Sequence, residues 1–169
     1  MRRTASFSRD RRFRYELGRR WGDGPLLTWV MLNPSAADAY VDDPTIRRCI
    51  GFSRNWGFGG MRVVNLAAFR AAHPAALAGE GDLLGPDGAR RLRRALIEAE
   101  TVIAAWGNVP SSLVGRAEES VRRLPPDAWC LGLTAQGQPR HPLYVRGDVT
   151  PVPFLGALSV FGGAPTMAA

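Results

Sequence analysis

Four short apolar runs recur along the chain, and segments with a helical pattern separate them. The runs cover residues 26–32, 61–66, 101–106 and 128–133. Runs of this length that alternate with helices are typical of parallel strands covered on both faces. We therefore expect an α/β fold, a three-layer α/β/α sandwich around a central, mostly parallel four-stranded sheet. Right-handed crossovers would bring the carboxyl ends of these strands to one edge, where α/β folds bind their ligands.

Helix signals and a hairpin pattern fill the rest of the fold. Asp43 is a good capping residue and Pro44 suits the first helical position, so a helix is expected from there to residues 56–57. Further helices are expected to open at residues 85–87 and near 114–124. An amino-terminal β-hairpin is expected over residues 5–21, because apolar and charged residues alternate in its second arm.

Length and composition indicate one globular domain. The chain has 169 residues, of which 46% are hydrophobic and 22% are charged, which excludes a disordered protein. We expect a single α/β domain over residues 1–154 and a loose carboxyl-terminal tail over residues 155–169. There is no apolar run of 18 residues, and no apolar segment follows the basic start. A cytoplasmic monomer without a membrane partner is therefore expected.

Neither the cysteines nor the motifs indicate a cofactor. Cys49 and Cys130 are too few for a structural zinc or an iron–sulfur cluster without a nearby histidine and cysteine cluster. The sequence contains no P-loop, no G-x-G-x-x-G and no G-x-S-x-G elbow. We expect no metal and no cofactor, and Ser35 lacks the usual context of a hydrolase nucleophile.

The chain is strongly basic, with a net charge of +7 and 22 basic residues that are all arginine. Arginine forks onto phosphates and stacks on bases, and a basic surface attracts polyanions. Many basic proteins bind nothing anionic, so charge alone leaves both possibilities equally open.

Polar residues follow the ends of all four predicted strands. An asparagine side chain has a carbonyl acceptor and an amide donor, so it can read a nucleobase edge with two hydrogen bonds. Asparagine and proline are also common in the loops of most proteins. Each of these residues, taken alone, is compatible with a purely structural role in a loop. The candidate binding residues at this edge are Pro34, Ser35, Asn65, Arg70, Trp106, Gly107, Asn108, Arg140 and Tyr144.

Titratable residues near the same edge are candidates for chemistry. His141 lies in an irregular P-R-H-P-L-Y stretch. As a functional residue it would stabilise developing charge or bind phosphate, and as a structural residue it would form a hydrogen bond to the loop backbone. Asp42 and Asp43 form a possible carboxylate pair. Because helix capping already explains Asp43, Asp42 is the one left for acid–base work.

Five ordered motifs resemble the bacterial domain-of-unknown-function family numbered 1643. They are V-M-L-N-P-S, D-D-P-T-I-R-R-C, V-V-N-L-A-A-F-R, A-A-W-G and L-G-L-T-x-x-G-x-P-R-H-P-L-Y, and the resemblance covers residues 5–154. The family name carries no assigned activity.

The order of L-N-P, N-L-x-x-x-R, W-G and H-P is also similar to the uracil-DNA glycosylase superfamily. This resemblance implies a parallel four-stranded sheet between helices, and hydrolysis of the bond that joins a base to deoxyribose. It implies that Asn33 positions the attacking water and that Asn65 reads the flipped base. It further implies that His141 supports the oxygen of the departing base and that Tyr40 stacks on the base.

The expected function is therefore that of a nucleobase-directed hydrolase, most simply a DNA N-glycosylase that removes a damaged or modified base. Its catalytic candidates are Asn33, His141 and Asp42, the last because asparagine is no general base. The expected partner is DNA or a nucleotide-like ligand. Two alternatives stay open, a non-catalytic nucleic-acid-binding module and a hydrolase of free or modified nucleosides or nucleotides. Arginines clustered at the pocket mouth would favour DNA.

Overall fold

Seven strands form one mixed sheet in the computed structural model, which describes residues 1–154. The predicted loose tail, residues 155–169, lies outside the described residues. The strands are β1 Arg2–Phe7, β2 Arg14–Arg20, β3 Leu26–Met31, β4 Gly60–Asn65, β5 Thr101–Ala104, β6 Trp129–Cys130 and β7 Val152–Pro153. The α-helices are α1 Pro44–Asn55, α2 Gly85–Ile97 and α3 Val114–Val121. None of the helices in residues 1–154 has the length and apolar character that crossing a membrane requires.

The sheet order is β1-β2-β4-β3-β5-β6-β7. Strands β4, β3, β5 and β6 are parallel, so the α/β class and the parallel core are confirmed. The expected count of four strands is too low, because antiparallel strands extend the sheet at both sides. The second arm of the expected hairpin pairs with β4, and the two-residue β7 pairs with β6. A strand as short as β7 leaves no period in the sequence from which to predict it.

The helices pack on both faces of the parallel strands. Trp29 of β3 is buried in one cluster with Phe52 of α1. Its neighbour Val30 faces the other side and is buried with Leu92 of α2 and Val121 of α3. Because both faces of β3 are covered, its sequence is apolar at every position except Thr28, which is why it reads as a nearly continuous run.

Helix α1 begins where the sequence predicted. The Asp43 side chain accepts a hydrogen bond from the backbone N–H of Ile46 at 2.8 Å, and Pro44 occupies the first turn. The helix ends before Gly57, which has a φ of +82° that favours glycine. These caps depend only on neighbouring residues, so the sequence is sufficient to predict them.

Strand β2 buries two arginines, contrary to what its alternating pattern indicates. Arg14 and Arg19 are both almost completely inaccessible to solvent, whereas Glu16, Gly18 and Arg20 are only partly buried. The loop between β3 and α1 covers them, since Arg14 donates to the carbonyl of Ala37 and Arg19 donates to that of Asp38. A period of two shows which side chains share a face, but not whether a distant loop covers that face.

Candidate functional site

The carboxyl ends of the four parallel strands open into one pocket with a volume of about 690 Å³. Asn33 follows β3, Asn65 ends β4, Trp106 follows β5 and His141 comes after β6, and all four line this pocket. The volume is within the range of small-molecule binding sites, about 300–1,000 Å³. The strand ends therefore meet at one edge, as right-handed crossovers predict.

The structure brings most of the sequence-predicted site residues to this pocket. Those that line it are Asn33, Ser35, Asn65, Trp106, Gly107, Asn108, Arg140, His141 and Tyr144. The structure does not place Pro34, Tyr40, Asp42 and Arg70 in the lining. Tyr40 is 86% exposed on the loop before α1. The guanidinium of Arg70 lies over the ring of Phe7, 5.2 Å from its centroid.

Asn65 carries a buried carboxamide that has no hydrogen-bond partner in the described residues. The residue is 5% exposed, and neither its Nδ2 nor its Oδ1 makes a hydrogen bond. A buried polar atom without a partner costs about 1–3 kcal/mol, so native proteins rarely leave both ends of an amide in this state. A ligand that offers one acceptor and one donor would satisfy both atoms.

Asn33 has a fixed side-chain orientation. Its Nδ2 donates to the carbonyl of Pro34 at 3.1 Å and to that of Ala71 at 2.9 Å. Only the amide nitrogen can donate to two carbonyls, so the positions of Nδ2 and Oδ1 are determined. Oδ1 makes no hydrogen bond within residues 1–154, and it is therefore available as an acceptor for water or ligand.

His141 is held by its own backbone turn. Its Nδ1 accepts from the backbone N–H of Leu143 at 3.3 Å, so the neutral ring carries its proton on Nε2. Burial lowers the pKa of His141, against the opposing effect of Asp43, and the neutral ring therefore predominates at neutral pH. Gly107 has a φ of +73°, and a Cβ at this position would lie 3.2 Å from the Cβ of His141. Glycine thus allows the loop after β5 to approach the histidine closely.

The carboxylate in the pocket is that of Asp43, not that of Asp42. The Asp43 side chain accepts from Ser35 Oγ at 2.8 Å while it caps α1, and both residues line the pocket. Asp42 instead forms ion pairs with Arg19 at 2.7 Å and with Arg3 at 3.0 Å. Successive side chains of an extended segment point to opposite sides, so these neighbours serve different parts of the molecule.

Arg14 is a pocket residue that the sequence analysis missed. It is 3% exposed, it lines the pocket, and its Nη1 donates to the carbonyl of Ala37 at 2.7 Å. Burial lowers the pKa of Arg14 to about 10, with Asp43 opposing the shift, so the guanidinium is still charged at neutral pH. In the sequence, Arg14 is recognisable only as an arginine at the start of a predicted strand. That strand end reaches the pocket because β2 pairs with β4, which the sequence alone does not indicate.

Hydrogen bonds tie together the loops that form the far wall. Trp106 Nε1 donates to Gln138 Oε1 at 2.8 Å, and Thr134 Oγ1 donates to Asn108 Oδ1 at 2.7 Å. Tyr144 stands at the rim and is largely exposed. The wall therefore holds a buried indole in place and leaves one aromatic ring free to cover a planar ligand.

Within residues 1–154, no three His, Cys, Asp or Glu side chains come close enough to share a metal ion. Cys49 and Cys130 are both buried free thiols. Burial raises the pKa of each thiol, which keeps them protonated and unreactive.

Comparison with known proteins places most of the chain in one family model. Residues 14–143 match the model described as "Protein of unknown function (DUF1643)". This range begins at Arg14 and contains Asn33, Asn65 and His141. No curated protein and no solved structure matches the chain.

Proposed function

The chain belongs to the DUF1643 family of proteins of unknown function, and from its pocket we propose that it is a nucleobase-directed hydrolase. In its simplest form it is a DNA N-glycosylase that removes a damaged or modified base. The observation that carries this proposal is the unpartnered carboxamide of Asn65. A nucleobase edge places an acceptor and a donor side by side, which is what the two ends of this amide require.

The order of the strand-end motifs supports the same proposal. L-N-P, N-L-x-x-x-R, W-G and H-P follow the order found in the uracil-DNA glycosylase superfamily, and in this chain they meet in one pocket. Helices on both faces of four parallel strands are compatible with the three-layer α/β/α arrangement that this resemblance implies.

The pocket offers groups for each part of N-glycoside hydrolysis. The bond between C1′ and the base nitrogen breaks, and its electron pair leaves with the base. The Oδ1 of Asn33 holds the water whose oxygen bonds to C1′, and the carboxylate of Asp43 takes the proton that this water loses. The Nε2–H of His141 donates to the oxygen of the departing base, where negative charge develops. Asp43 thereby takes the acid–base role that the sequence had indicated for Asp42.

A basic surface beside the pocket favours DNA as the substrate. We define the hairpin patch as Arg9, Arg11, Arg12 and Arg70. The first three are exposed in the turn that leads directly into β2, and Arg70 donates to the carbonyl of Arg11. The patch adjoins the pocket lining along the chain, since Arg12 is two residues from Arg14 and Arg70 precedes Ala71, and both Arg14 and Ala71 line the pocket. Glu80 pairs with Arg12 at 3.3 Å, the guanidiniums of Arg11 and Arg70 lie over the ring of Phe7, and Arg9 forms no ion pair within residues 1–154. Exposed guanidinium groups of this kind attract phosphate.

A second candidate is hydrolysis of a free nucleoside or nucleotide. The observation that favours it is the lining itself, because Arg14 and Arg140 are the only arginines among the described lining residues. A small ligand would need the pocket alone, without the hairpin patch.

The proposal is tested by a cleavage assay on the purified protein. The substrates are single- and double-stranded oligonucleotides that carry uracil, hypoxanthine, xanthine or mismatched thymine, and the corresponding free nucleosides and nucleotides. Alkali-sensitive abasic sites report cleavage of DNA, and chromatography of the released base reports cleavage of small substrates. We expect wild-type cleavage, and a loss of about 100-fold or more in Asn33→Ala because the water is no longer held.

Asn55→Ala is the matched control, since Asn55 is exposed at the end of α1 and does not line the pocket. Cleavage of oligonucleotides supports the glycosylase, and cleavage of small substrates alone supports the second candidate. Binding that depends on the base, without any cleavage, would contradict the hydrolase and support a non-catalytic nucleic-acid-binding module. A protein that neither binds nor cleaves any of these substrates would contradict the proposal.

The hairpin patch yields a separate prediction about salt dependence. The double variant Arg9→Ala/Arg11→Ala is expected to bind oligonucleotides more weakly and to lower the slope of log K against log salt by roughly 0.9 for each lost phosphate contact. The control Arg2→Ala/Arg93→Ala removes the same charge from exposed positions outside the patch and the pocket lining. Equal slopes for the two double variants would exclude a specific role for the patch.

A further inference from the structure

We infer that the pocket holds an anion site at Arg14, and that its ligand is a nucleotide whose phosphate oxygens contact this guanidinium while its base lies at Asn65. The inference rests on the proposed function, because the base at Asn65 is part of it. It adds the residue that receives the phosphate and makes the phosphate ester, in a free nucleotide or in a polynucleotide, a requirement for tight binding.

The first support is the incomplete hydrogen bonding of Arg14. Its side chain uses Nη1 on the carbonyl of Ala37, while Nε and Nη2 make no hydrogen bond to any described residue. No carboxylate oxygen in residues 1–154 lies within 4.0 Å of this guanidinium. A buried cation without a close counter-ion is unfavourable, and such groups are concentrated at binding and catalytic sites.

A second buried arginine in the same strand shows what a structural role looks like here. Arg19 donates from Nε to Asp42 at 2.8 Å and from Nη1 to the carbonyl of Gly18 at 2.8 Å, and its Nη2 forms an ion pair with Asp42 at 2.7 Å. All three of its nitrogens are therefore occupied. Arg14 and Arg19 are buried to a similar extent, but Arg14 has fewer hydrogen-bond partners. Of the two, only Arg14 lines the pocket.

Charges of both signs surround Arg14, and none of the described carboxylates forms an ion pair with it. Asp43 and Asp38 are the carboxylates that act on it, and Arg70 and Arg19 are the cations, of which Arg19 is already paired with Asp42. The Asp43 carboxylate is already engaged by Ser35 Oγ and by the N–H of Ile46. An incoming anion therefore meets a buried guanidinium that no carboxylate of the described residues pairs with directly.

The free nitrogens define the chemistry of the ligand. Nε and one Nη of a guanidinium form a planar fork that matches two oxygens of a phosphate. Asn65, in the same pocket, has a free donor and a free acceptor for a base edge. A ligand that satisfies both residues carries a phosphate and a nucleobase, which is the composition of a nucleotide.

The test measures binding by calorimetry with four kinds of probe. These are inorganic phosphate, the nucleosides uridine and inosine, their 5′-monophosphates, and dinucleotides that contain the same bases. In the wild type we expect the monophosphates to bind about 10- to 100-fold more tightly than the nucleosides. This is the gain in affinity that hydrogen bonds between a guanidinium and a phosphate typically give. Arg14→Gln should remove this advantage, and Arg14→Lys, which keeps the charge without the fork, should restore part of it.

Arg93→Gln is the control for charge, since Arg93 is exposed on α2 and does not line the pocket. Thermal unfolding of each variant establishes that it is folded. Equal affinity for nucleoside and monophosphate in the wild type, with no effect of Arg14→Gln, would overturn the anion site and leave base binding intact. Phosphate binding that depends on Arg14, together with no binding of any nucleoside, would support the anion site and contradict the proposed function. Tighter binding of dinucleotides than of monophosphates would identify a polynucleotide as the source of the phosphate, and the reverse order a free nucleotide.

Discussion

Asn65→Leu is expected to abolish base binding and at the same time to stabilise the folded protein. In the absence of ligand the buried carboxamide of Asn65 has no partner, so its desolvation is uncompensated. Leucine has a similar size and removes this cost, which is about 1–3 kcal/mol for an unpaired buried polar group. The affinity for the base, or the rate of its cleavage, should fall by about 100-fold or more. A site that recognises a base edge by hydrogen bonds loses this recognition when its polar side chain is removed.

Two measurements on the same sample check this pair of effects. Thermal unfolding should shift upwards by roughly 2–4 °C for each kcal/mol gained. Titration with the best-bound base or nucleoside should show the loss of affinity. A variant that is less stable than the wild type would show that the carboxamide supports the fold, and it would remove the main support for base recognition. Asn55→Leu, at an exposed position, is the matched control and should change neither quantity.

Asp42→Ala is expected to cause a large loss of stability and to leave the pocket chemistry intact. The guanidinium of Arg19 is completely buried, and Asp42 is its only carboxylate partner among the described residues. Removing one partner of a buried ion pair costs about 3–5 kcal/mol, since the other charge stays buried without compensation. This is a large share of the total stability of a typical domain, which is about 5–15 kcal/mol.

Urea unfolding measures the effect as a lower transition midpoint with an unchanged slope. The double variant Arg19→Met/Asp42→Leu is the control, because apolar residues can replace a buried ion pair at little or no cost. It should recover most of the lost stability. If Asp42→Ala instead unfolded like the wild type but failed to cleave a substrate of the wild type, Asp42 would return as the catalytic carboxylate.

Local sequence patterns were sufficient for the three α-helices and for every strand except β7. The cap of α1 at Asp43 depends on residues that are three positions apart, and the apolar run of β3 reflects burial on both faces. Because crossovers between parallel strands have one hand, the same patterns also predicted that Asn33, Asn65, Trp106 and His141 would meet at one edge.

The sequence by itself thus determined the order of the helices and of all strands but β7, the cap of α1 and the edge at which the polar residues gather. Only the tertiary structure decided which charged residues enter the pocket. Arg14 and Asp43 line it while Asp42 does not, because β2 pairs with β4 and the loop before α1 closes over β2. These contacts join residues far apart in the chain, and a local period contains no information about what covers a face or which of two neighbouring carboxylates faces a ligand.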